Sequence, residues 1–187
     1  MGVRPSARAS VVVGREDELE LLRAAARAAR SGETACVVLV GEGGVGKTRL
    51  LGELATFARH TGVAVLSGRA PIVTPAPFSV FTEALRSWLR GHDVASIPPF
   101  DRGLGLVVPE WPSAVDAIQL DGPQLHLLAL EGIVRFVARV ADASGGAVVL
   151  LDDMSMRPIW NEIPGAMRCA VSSRLRWVVM VGAGSPG

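Results

Sequence analysis

Gly41-Glu42-Gly43-Gly44-Val45-Gly46-Lys47-Thr48, following directly on the apolar run Ala35–Val40, decides the fold. The eight residues fit G-x-x-x-x-G-K-[ST] at every position. A triphosphate needs many donors converging on its oxygens. Backbone N–H groups supply them when the chain can wrap tightly, and glycine permits the turns. A helix beginning at Lys47 would add roughly half a positive charge at the same point. Lys47 can reach the β- and γ-phosphates, and the Thr48 hydroxyl can ligate Mg²⁺. All but one of the 19 basic residues are arginine, and the single lysine is Lys47. The two side chains are not interchangeable where a compact ammonium must fit among phosphate oxygens. The loop is therefore expected to bind ATP with Mg²⁺ through Gly41, Glu42, Gly43, Gly44, Val45, Gly46, Lys47 and Thr48. Arg49 is a further candidate for phosphate contact.

Outward from the loop, strands alternate with helices. Ala35–Val40 is continuous and apolar, as a strand covered on both faces is. A helix is predicted from Lys47 to His60. Upstream, 1–10 is a leader rich in Arg, Ser and Ala. A helix follows from Arg15 to Arg30, acidic in its first turn and basic in its last, and Ser31-Gly32 stops it. Downstream come a short strand at Val63–Leu66, an irregular Gly68–Pro77 with three prolines, and a helix at Ser79–Leu89. Gly91–Pro112, with four prolines, reads as one long connection. A helix spans Gln124–Asp142, and Ser144-Gly145-Gly146 breaks it before the strand Ala147–Leu151. This alternation predicts an α/β fold with a mainly parallel sheet and helices on both faces.

The strand Ala147–Leu151 ends in Asp152-Asp153, the usual form of a Walker B element. Asp152 is expected to hold Mg²⁺, directly or through water. Asp153 is expected to orient or deprotonate the attacking water. The candidate catalytic residues are thus Lys47 and Asp153, and the candidate metal ligands Thr48 and Asp152. Glu42 is assigned no catalytic role. Arg69, Arg86 and Arg90 read as surface arginines, and His60, His92 and His126 show no metal-ligand spacing.

The formal net charge of +1 provides no field for nucleic acid or an anionic membrane. The apolar runs are far too short to span a bilayer, and the N-terminus has no apolar run of signal-peptide length. Two cysteines, Cys36 and Cys169, do not make a disulfide framework. A cytoplasmic protein that binds nucleotide, with no membrane partner, is the expectation.

Val13-Gly14-Arg15-Glu16-Asp17-Glu18-Leu19 resembles the opening of AAA-like signal-transduction ATPases, the STAND class. Gly41–Leu54 is similar to the same stretch in large ATP-binding LuxR-type transcriptional regulators. Pro77–Phe81, Val108-Pro109-Glu110-Trp111 and Leu150–Asp153 continue the likeness, in the family's order. The resemblance implies a three-layer P-loop core over 11–153, of the additional-strand class. It implies that Val13, Gly14 and Arg15 pack near the adenine, and that slow hydrolysis serves as a switch. Members of that group are longer and carry helical repeats and a DNA-binding domain. This chain is therefore expected to be a fragment that binds no DNA itself and acts through self-association or missing effector domains.

The composition shifts after Asp153. Residues 154–187 hold four of the five methionines, two of the four tryptophans, four arginines and one acid, Glu162. Met154–Trp160 does not match the resembled pattern, yet 177–182 is strand-like and falls where a sensor strand is expected. Two alternatives stay open: a divergent sensor region, or a tail read in a shifted frame that leaves the sheet incomplete at the C-terminus. Without that strand, the strands at 35–40 and 147–151 would each lose a row of hydrogen-bond partners. Three functions compete: a nucleotide-switch ATPase, a small-molecule P-loop kinase, and a non-enzymatic nucleotide-binding fragment. No lid segment with clustered arginines supports the kinase.

Overall fold

Three helices end in the same way, and each ending launches a strand. The computed structural model describes residues 14–33, 35–70, 78–92, 102–108, 122–154 and 178–183. Helix α1 (Glu16–Arg30) closes with Gly32 at φ 85°, where the Glu33 N–H donates back to Ala28 O at 3.1 Å. Helix α2 (Lys47–His60) closes with Gly62 at φ 77°, and the Val63 N–H donates to Ala58 O at 2.9 Å. Helix α5 (Gly122–Ala143) closes with Gly145 at φ 65°, and the Gly146 N–H donates to Ala141 O at 2.7 Å. Each is a Schellman ending, with the left-handed residue supplied by glycine at no Cβ penalty. The chain then enters β1 (Cys36–Gly41), β2 (Ala64–Arg69) and β3 (Ala147–Met154) respectively.

These strands and β4 (Val178–Ala183) form one parallel sheet in the order β1-β4-β3-β2. The strand read at 177–182 thus runs from 178 to 183, between β1 and β3; residues 155–177 lie outside the described residues. Parallel neighbours need crossover connections, which for β2 and β3 the helices between Arg69 and Ala147 supply. The fold is α/β, as the alternation predicts.

β3 is buried on both faces because it has apolar side chains at every position from Ala147 to Leu151. Ala147, Val149 and Leu151 join Leu66 in a core with α3 (Ser79–Leu89), α4 (Arg102–Val107) and α5. Trp88 and Phe136 meet there edge to face, with ring centroids 5.5 Å apart. Val148 and Leu150 face the other way, into a core with α1 and α2.

Glycine sets the closest approaches. A Cβ on Gly68 would lie 2.0 Å from Val80 O, so α3 rests directly on the backbone of β2. Gly103 of α4 and Gly132 of α5 meet in the same way: a Cβ on Gly103 would sit 1.8 Å from Leu128 O, and one on Gly132 would sit 2.5 Å from the Leu104 nitrogen.

Two readings of the sequence need correction. β2 runs to Arg69 rather than stopping at Leu66, because Gly68 lets the strand continue beneath α3. The connection at 91–112 contains α4, a short helix with little intrinsic propensity. Packing of Leu104, Val107 and Val108 against α5 outweighs the glycines in it. Among the described residues, no helix is long and apolar enough to cross a membrane.

Candidate functional site

The loop between β1 and α2 follows its glycines. Gly44 has φ 80° and Gly46 φ 96°, both in the left-handed region that glycine reaches freely. A Cβ on Gly43, Gly44 or Gly46 would meet nothing within 4 Å, so one side of the loop opens onto free space. Gly41 is confined instead: a Cβ there would come within 3.1 Å of Val45 Cγ1. The hydrogen bonds of α2 begin with Arg49 and Leu50, whose N–H groups both donate to Gly46 O at 3.1 Å. The N–H groups of Lys47 and Thr48 precede them, at the positive end of the helix.

Lys47 Nζ donates to Gly41 O at 2.6 Å and to Glu42 O at 2.7 Å. Its ammonium therefore lies across the loop it belongs to, drawing the two ends of the turn together. The Glu42 side chain is exposed. Arg49 is exposed on the first turn of α2.

The carboxylate is brought to the loop from the far side of the sheet's centre. Asp152 is buried, and its Oδ1 accepts from Thr48 Oγ1 at 3.3 Å. β3 reaches this point through an irregularity. Leu151 pairs with Met180 of β4, but Met154 pairs with Gly182, so β3 has one residue more than β4 across Asp152-Asp153. Such a bulge re-aims the side chains it carries. On the other edge the register with β2 runs unbroken to Arg69 opposite Asp152. A hydroxyl and a carboxylate oxygen side by side are hard donors, the kind Mg²⁺ takes in small number beside phosphate oxygens. The open glycine face, the ammonium and this oxygen pair fit a Mg²⁺–triphosphate. Among the described residues, no group of three or more His, Cys, Asp or Glu side chains could hold a metal alone.

Asp153 stands next to Asp152 in the bulged part of β3. Of the segment expected near the adenine, Val13 lies outside the described residues. Gly14 is exposed, and its N–H donates to Glu16 Oε1 at 3.1 Å. Arg15 is engaged with Glu18 at 2.8 Å, and its guanidinium holds the Glu18 carboxyl below its usual range.

Sequence reasoning weighs Arg69 as a charge sensor, favours a surface role, and does not foresee its pairing with Asp152. Its Nη2 donates to Asp152 Oδ2 at 2.9 Å, and the adjoining Ala70 N–H donates to Asp152 O at 3.0 Å. The available signal was the Gly68-Arg69 pair at the end of an apolar run, which reads as a strand end once Gly68 is allowed inside the strand.

No curated protein matches the chain. The family model of the AAA ATPase domain matches residues 11–161, a span that takes in the glycine loop, the bulged strand and every helix described above. With that match over most of its length, the chain belongs to the AAA ATPase domain family.

Proposed function

We propose that this chain is a nucleotide switch: it binds ATP with Mg²⁺ and hydrolyses it slowly, within a signalling or transcriptional regulator. The observation that carries the proposal is the meeting of Thr48 Oγ1 and Asp152 Oδ1 at 3.3 Å beside the Lys47 loop. Loop N–H groups and the start of α2 would hold the phosphates, with Lys47 turning from Gly41 O and Glu42 O onto the β- and γ-oxygens. Thr48 and Asp152 would hold Mg²⁺, which when bound neutralises charge on the phosphate oxygens. Asp153 would orient the attacking water. Val13, Gly14 and Arg15 would line the adenine side.

The strand order β1-β4-β3-β2, with a strand between the loop strand and the Asp152 strand, supports assigning the core to the three-layer, additional-strand class. The Gly14-Arg15-Glu16 opening supports a signal-transduction role. An arginine reaching the phosphates from a neighbouring subunit or a further domain would be needed for fast turnover. Intrinsic turnover is therefore expected to be slow.

The test is a fluorescent-nucleotide titration of the wild type against Lys47→Ala in Mg²⁺. Charge-assisted contacts of this kind are worth about 1.5–3 kcal/mol each, so the variant should bind about tenfold more weakly or worse. Equal affinities for the two proteins would reject the assignment of the loop. Phosphoryl transfer to a small acceptor would favour a kinase instead.

A further inference from the structure

The two oxygens of the Asp152 carboxylate meet different groups. Oδ1 faces Thr48, and Oδ2 takes the Arg69 guanidinium at 2.9 Å. The pairing is built into the backbone. Arg69 and Asp152 are register partners, and the Ala70 N–H to Asp152 O bond continues the ladder past them. Gly68, pressed under α3, holds β2 at this height. The two side chains differ in their surroundings. The Asp152 side chain is 10% exposed and the Arg69 side chain 57%. The acid is held in the interior, whereas the guanidinium already reaches solvent.

We propose that Arg69 is the resident counter-ion of Asp152 and sets the Mg²⁺ requirement of the nucleotide site. The inference rests on the phosphate-loop reading above. A buried carboxylate facing a polyphosphate repels it unless a cation stands between them. Arg69 supplies that charge when metal is scarce, so polyphosphate can enter before Mg²⁺ does. Mg²⁺ and the guanidinium then compete for one carboxylate, because two cations sharing a single anion in a poorly solvated site repel each other. The metal must displace the Arg69 guanidinium, the more exposed partner of the pair, from Asp152 Oδ2. An arginine that merely braced Asp152 for the metal would act in the opposite direction.

The experiment measures fluorescent ATP-analogue binding to the full chain at fixed protein, in EDTA and across a Mg²⁺ titration. Wild type, Arg69→Gln, Arg69→Lys and Lys47→Ala are compared. A half-exposed ion pair sets the scale of the effect at about two- to fivefold. Arg69→Gln should weaken binding in EDTA by that factor and lower the half-saturating Mg²⁺ by a similar one. Arg69→Lys, which keeps the charge, should stay close to wild type in both. A half-saturating Mg²⁺ that is unchanged or raised in Arg69→Gln overturns the proposal and makes Arg69 a brace or a bystander. If wild type and Lys47→Ala fail alike to bind with or without Mg²⁺, the phosphate-loop reading itself falls and takes the proposal with it. Thermal melts of the four proteins without nucleotide show whether a loss of binding is a loss of fold.

Discussion

Thr48 and Asp152 stand 104 positions apart in the chain, and their side-chain oxygens lie 3.3 Å apart. One opens the helix after the glycine loop, and the other sits in the bulge of β3. Removing either oxygen should damage metal-dependent binding, and removing the Thr48 hydroxyl should spare the metal-independent part. Thr48→Val and Asp152→Ala are each expected to lose about tenfold or more in nucleotide affinity in Mg²⁺. Binding of Thr48→Val in EDTA should match wild type within about twofold. Calorimetric titration in both buffers checks the split, and an equal loss in both would show that neither group serves the metal.

Gly68 is expected to be intolerant of any side chain. A methyl there would drive into Val80 O and the Ala84 nitrogen, both backbone atoms of α3 that cannot rotate away. Gly68→Ala should cost about 2 kcal/mol through overpacking, a drop of roughly 4–8 °C in Tm for a domain of this size. Differential scanning calorimetry reads it directly. A melt unchanged from wild type would mean that α3 does not rest on β2.

Gly62 separates backbone strain from packing. At φ 77° it ends α2, and a Cβ there would meet nothing within 4 Å. Gly62→Ala should therefore cost only the left-handed penalty, about 1–2 kcal/mol, and Gly62→Asn clearly less. If denaturant melts put asparagine level with alanine, the ending of α2 is not left-handed.

The exposed ion pairs should matter little. Arg135 pairs with Glu131 one turn away on α5, with both side chains about half exposed. Arg135→Gln should change stability by less than about 0.5 kcal/mol. Chemical denaturation of the single variant suffices, and a loss above 1 kcal/mol would point to a network that the geometry does not contain.

Much of the scaffold was legible in the residues, for physical reasons. Helices α2 and α3 have the bounds the sequence suggests, 47–60 and 79–89, because glycine, threonine and the apolar stripe mark their ends locally. The phosphate loop is legible because its chemistry is written in consecutive residues. The parts that escaped depend on elements distant in sequence. Arg69 reads as a surface arginine until the register of β2 against β3 places it opposite Asp152. Helix α4 has too few helix-forming residues to declare itself and exists through the glycine contact with α5. The bulge at Asp152-Asp153 is a mismatch between two strands, which neither strand's residues announce alone.

The position of β4 also bears on biosynthesis. The strand inserted between β1 and β3 is the last of the four to leave the ribosome. Until it emerges, β1 and β3 each lack the strand that pairs with both, and nascent chains with unpaired strand edges are exposed to misassembly. Competence to capture nucleotide should therefore switch on late and all at once. Arrested chains of increasing length would reveal this as a step in nucleotide crosslinking once residue 183 clears the exit tunnel, and a gradual rise from shorter chains would contradict it.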